Sequence, residues 1–173
     1  MSNRNLIVVD IETTSLDTNR CTPLEIAVVN VHTQEAFSFA PYVSRDALTD
    51  ADPQALAVNR YFERRVFEKM LDLDESRKAF ERAFGLLSGN TFAGSNPSFD
   101  AAVLDRFGAP GWHHRLADLA PFAAGVLGLD PTQLPGLATV CELLDVENTG
   151  PHSALGDAKA TAECFRVLQE RAA

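Results

Sequence analysis

The chain has 173 residues, enough for one domain with its own core and short for two. An apolar fraction of 46% and a charged fraction of 23% are those of a globular protein, and no apolar run approaches the roughly 18 residues of a membrane span. The formal charge of −9 argues against gripping long nucleic acid through its phosphates, but not against holding a strand end through metal ions.

Met1 to Asn5 run straight into an apolar segment, which leaves no room for a signal peptide. Cys21, Cys141 and Cys164 are widely spaced, odd in number and without a metal-ligand pattern, as expected of reduced, packed thiols in a cytoplasmic protein. No internal repeat, low-complexity tract or interdomain linker is visible, so residues 1–173 read as one domain.

Leu6 to Val9 are four consecutive apolar residues, a strand buried on both faces. Asp17 to Pro23 reads as a loop, Leu24 to Val31 as a second strand, and Ala36 to Val43 as a third, with Pro41 marking an edge. Short connections make these an antiparallel meander. From Ser44 the character is helical: a short helix from Asp52-Pro53 through Val58, then Tyr61 to Leu71 and Ser76 to Leu87. Phe62, Val66 and Met70, then Phe80, Ala83, Phe84 and Leu87, recur at helical spacing and are expected to pack in the core. Thr91 to Ser95 is a short strand, turned by Asn96 to Asp100 into a helix over Ala101–Phe107 that Gly108 to Gly111 breaks. A brief strand at Arg115–Leu119, helices at Pro121–Leu127 and Leu137–Leu144, and a last helix from about Ser153 to the C-terminus complete the chain. This order predicts an α/β fold with a mixed sheet flanked by helices.

Asp10 and Glu12 arrive where the first strand ends, two residues apart and so on one face. Two carboxylates at the edge of a dry core repel each other and lose hydration, which either a proton or a divalent cation relieves. Asp100 closes Asn96-Pro-Ser-Phe99-Asp100 near the start of one helix, and Asp157 closes His152-Ser-Ala-Leu-Gly-Asp157 near the start of another. An aspartate in a first helical turn is favoured by the dipole whatever else it does, so neither is decisive alone.

Together the three stations resemble the motifs of the DEDD superfamily of 3′-to-5′ exonucleases, the DnaQ-like group, in its histidine subtype. Asp10-Ile-Glu12-Thr13-Thr14 stands for the first motif, Asn96 with Phe99-Asp100 for the second, and His152-x-Ala154-x-x-Asp157 for the third. Ser15 departs from the pattern, in which glycine is usual, and this matters little if its φ is negative.

The resemblance implies a ribonuclease H-like five-stranded sheet, an antiparallel meander followed by parallel strands. It implies hydrolysis at the 3′ end of single-stranded DNA or RNA, releasing nucleoside 5′-monophosphates. Two divalent cations, Mg²⁺ or Mn²⁺, about 4 Å apart would be held by Asp10, Glu12, Asp100 and Asp157. In that scheme Asp10 bridges the pair, Glu12 and Asp157 serve the nucleophile's cation, Asp100 reaches the other through water, and His152 is the general base. The same resemblance places Thr13, Leu16, Asn96 and Phe99 at the substrate and Glu25 near the metals; from the residues alone, Leu16 and Phe99 fit core packing equally well. A homodimer and a polymerase partner are both compatible with the sequence. Two other readings are weighed: an exonuclease-like binding module without turnover, and a haloacid-dehalogenase-like phosphatase, which would want Asp where Glu12 stands.

Overall fold

The computed structural model describes residues 4–108 and 111–173. At its centre lies β1 (Leu6–Thr13), paired antiparallel with β2 (Pro23–Asn30) on one side and parallel with β4 (Thr91–Gly94) on the other. β3 (Ala36–Phe39) adds antiparallel to β2 and β5 (Ala117–Asp118) parallel to β4, giving the order β3-β2-β1-β4-β5. This is the mixed five-stranded sheet expected from the sequence.

The period of two along β1 sorts its side chains between two cores. Ile7, Val9 and Ile11, with Ile26 and Val28 of β2, face α3 (Leu73–Leu87) and α4 (Pro97–Asp105). Val8, with Ala27 and Val29, faces α5 (Leu119–Leu127), α6 (Leu137–Leu144) and α7 (Ala154–Ala172). Ala154, Ala158, Ala162, Phe165 and Leu168 are buried along one side of α7, and small residues let it lie close on the sheet. The three cysteines are buried and free.

Several boundaries move for local reasons. β3 stops at Phe39, short of the predicted Val43; Ala40 adds only an isolated bridge to Met70, and β3 is indeed an edge. α1 (Arg45–Thr49) and α2 (Pro53–Val58) follow. The predicted helix over Tyr61–Leu71 does not form. Asn59 accepts the Tyr61 N–H on its side chain, Arg60 and Arg65 take left-handed backbone (φ 52° and 54°), and only a 3₁₀ turn at Val66–Lys69 remains. Val66 is buried there, but Phe62 is 55% exposed and does not join the core. α3 begins at Leu73 rather than Ser76 because Asp72 and Glu75 form a capping box. α4 begins at Pro97 rather than Ala101, which puts Asp100 in its first turn. The predicted break at Gly108–Gly111 includes residues 109 and 110, outside the described residues, as are residues 1–3. Among the described residues no helix is long and apolar enough to cross a membrane.

Candidate active site

Val8, Asp10 and Glu12 share one face of β1, and the face turns from apolar to acidic between the first two. β4 pairs with β1 only as far as Val8↔Ala93, so Asp10 and Glu12 lie beyond the last paired residues on that side. α7 supplies the facing carboxylate. Its N-cap Ser153 accepts the Gly156 N–H at 3.2 Å and donates to the Gly150 carbonyl at 2.6 Å, folding the preceding loop onto the first turn. Gly156 is required: a Cβ there would sit 2.1 Å from the Gly150 oxygen. This close approach aims Asp157 at β1. Carboxylate oxygens of Asp10, Glu12 and Asp157 all lie within 4.8 Å of one another.

Asp100 comes from α4 and is 5% exposed. Its carboxyl is pushed well above the usual range by burial and, less, by Glu12, while the backbone amides of Asp100 and Ile11 oppose this. Asp10 is likewise raised well above its ordinary value, by burial first and then by Asp100, Glu12, Asp157 and Glu25. Glu12 is raised to about 7 by burial, Asp157 and Glu25, with Arg64 acting the other way. The four acids thus form a mutually repelling group that a cation would relieve. Its donors are all carboxylate oxygen, a hard set suited to Mg²⁺ or Mn²⁺.

Glu25 stands directly opposite Glu12 across the β1–β2 ladder, a like-charge pair. Arg64 covers it, donating from Nη2 to both Glu25 oxygens at 2.7 and 2.5 Å. His152 lies exposed at φ 60°, a conformation that costs a non-glycine residue roughly 1–2 kcal/mol. Its N–H donates to Asp157 Oδ2 at 3.1 Å and its carbonyl accepts from Arg64 at 2.7 Å. The imidazole makes no hydrogen bond among the described residues. Asn148 Nδ2 donates to the other Asp157 oxygen at 2.6 Å and so orients that carboxylate. Arg64 and Asn148 escaped sequence reasoning. Arg64 lies in a stretch read as plain helix; Asn148 precedes Gly150-Pro151, whose loop composition was the only signal.

The four predicted substrate residues separate. Leu16 is 83% exposed beyond β1, so core packing does not explain it. Phe99 is half-buried against the α3–α4 core. Thr13 is buried; its hydroxyl donates to the Ser15 carbonyl at 2.7 Å and its own carbonyl accepts from Asn59, so it shapes the turn. Asn96 turns the chain into α4 at φ 62° and accepts from Ser98. Ser15 is not among the residues with positive φ, which is why it can replace glycine.

The model of the RNase_T family, described as exonuclease, matches residues 7–165. Among solved structures, similarity extends to the zinc-bound ssDNA complex of E. coli exonuclease I, at 18% identity and a TM-score of 0.74, covering 98% of this chain and 41% of that one. Exonuclease I from Methylocaldum szegediense is similar at 22% identity and a TM-score of 0.74, again over 98% and 41%. The sequence thus spans about two fifths of those chains, and at these identities the likeness concerns the fold. No curated protein matches the sequence.

Proposed function

This chain belongs to the exonuclease family whose model spans residues 7–165, and from that premise we propose that it is a metal-dependent 3′-to-5′ exonuclease of single-stranded DNA or RNA that releases nucleoside 5′-monophosphates. The observation that carries the reading is the convergence of Asp10, Glu12 and Asp157 within 4.8 Å, with buried Asp100 repelling the same group. These four would hold the divalent cations, two in this reading. Bound there, the cations would stabilise charge on the attacking and leaving oxygens and acidify the attacking water.

The chain's own residues do the rest. His152, presented on a loop tied to Asp157, accepts the proton of the attacking water at its imidazole. Asn148 and the His152 N–H hold both oxygens of Asp157 in place. Leu16 and Phe99 flank the first two acid motifs and support the terminal bases. Polarity and product rest on the motif resemblance. Single-strand preference rests on the charge of −9, which offers little to a duplex backbone, and on the ssDNA seen with E. coli exonuclease I.

End-labelled DNA and RNA oligomers, single- and double-stranded, linear and circular, with Mg²⁺, Mn²⁺ or chelator, test the proposal. Linear single strands should shorten stepwise from the 3′ end only with metal, and circles should survive. A cleaved circle, or blunt duplex degraded as fast as a matched single strand, would overturn it. Metal binding with no oligomer hydrolysed would favour the non-catalytic binding module. The phosphatase alternative is set aside by Glu12 and by the family match.

A further inference from the structure

Among the described residues, Arg64 makes hydrogen bonds to three separate parts of the chain. Nη1 donates to the carbonyls of Asn59 (2.8 Å) and His152 (2.7 Å), and Nη2 spans the Glu25 carboxylate. The guanidinium is partly buried, its side chain 23% exposed. A turn closed by the Arg64 N–H on the Arg60 carbonyl, with Arg60 and Arg65 left-handed, presents it at this place. Asn59 in turn donates to the Thr13 carbonyl at 3.2 Å, so the segment is anchored to β1 as well.

His152 keeps a positive φ with both backbone polar groups engaged. One of its two anchors, Asp157, is shared with the candidate metal site; the other, Arg64, is not. We infer that Arg64 is a positioning residue that holds the His152 loop against β2, so that the imidazole is presented to the acidic cluster in a single orientation. The planar fork matters here, because Nη1 serves two carbonyls while Nη2 spans a carboxylate, which a lysine ammonium cannot reproduce. The inference rests on His152 being the general base.

The test is a cycle of four proteins: wild type, Arg64→Gln, His152→Ala and the double variant, assayed by single-turnover cleavage of a short single strand. Arg64→Gln should lower the rate at saturating substrate and saturating metal by about 10- to 100-fold, the usual cost of misplacing a catalytic group, with KM unchanged. In the His152→Ala background the same change should cost nothing. A charge effect on the metals, or a general loss of stability, would persist in that background, and an equal loss there overturns the inference. Near-wild-type activity of His152→Ala would instead overturn the general-base reading. Arg64→Lys, which keeps a cation beside Glu25, should behave like Arg64→Gln; full activity in it would also overturn the proposal. Independently of turnover, the His152 ring resonance in histidine-labelled protein should be single in wild type and averaged or multiple in Arg64→Gln, with His32, His113 and His114 as internal references. An unchanged His152 resonance counts against the role.

Discussion

The two ends of β1 share one backbone and one sheet yet contribute to the protein in opposite ways. Ile7, Val8 and Val9 are at most 2% exposed and covered by helices on both faces, and Ile7 and Val8 are paired with a strand on each side. Asp10 and Glu12, next on the Val8 face, lie past the last residue paired with β4, where carboxylates from β1, α4 and α7 gather. The first end stabilises the fold through burial. The second holds charge at a place that burial makes costly, and its raised carboxyl pKa values record that cost. What the contrast teaches is that a strand end becomes a site when neighbouring elements close over it without neutralising it.

The largest expected effect comes from the acidic end. Asp10→Asn should take hydrolysis below detection while raising the melting temperature of metal-free protein, because a repelled, desolvated charge is gone. Thermal unfolding in chelator reads the second half, and a fall in Tm would mean that Asp10 supports the fold rather than straining it. His152→Ala should lower kcat by about 10²–10⁴-fold with metal binding retained and residual activity rising with pH. Unaltered turnover at neutral pH would leave the histidine without a catalytic role.

The dry end should respond in the opposite sense. Val8→Ala removes two buried carbons and leaves a void, a loss of about 2 kcal/mol in denaturant unfolding with kcat per folded molecule unchanged. A fall in kcat at constant folded fraction would show that the two ends are coupled.

Acidity sharpens the contrast further. Glu12 holds its proton to about pH 7 in the fold, against an ordinary glutamate value of 4.5, so between those values the folded state binds more protons than the unfolded one. Stability of metal-free protein should therefore fall as pH rises through that window, and Asp10 and Asp100 act in the same direction. Glu12→Gln or added Mg²⁺ should flatten the slope; a stability that instead rose with pH through this window would contradict the strained-acid picture. The smallest effect belongs to Leu16→Ala. With its side chain 83% exposed, Tm should not move, while KM should rise roughly fivefold if about 1 kcal/mol of base contact is lost.

Much of this was legible in the chain itself. The bounds of α6 and the buried face of α7 follow from periodicity, since each helix buries one stripe, α6 against neighbouring helices and α7 against the sheet. The helix predicted over Tyr61–Leu71 is absent because Phe62, Val66 and Met70 keep helical spacing while Asn59 and two left-handed arginines break the backbone. Apolar spacing reports what can pack on one face, not whether a side chain captures the N–H groups that a helix needs. Asp100 is expected near a helix start, yet the helix begins earlier than predicted, because Pro97 occupies its first turn rather than the preceding turn of chain.

By itself the sequence determined the unbroken apolar run that makes β1 central, the helical spacing of α6 and α7, and three acid motifs in a recognisable order. These are local facts, set by residues within a few positions of one another. Only the tertiary structure decided that Glu25 opposes Glu12, that Asn148 orients Asp157, and that Arg64 crosses 88 residues to reach the His152 carbonyl. The physical reason is that a hydrogen bond to a distant carbonyl leaves no period and no spacing in the chain; it exists once the sheet and its helices have brought the two ends together.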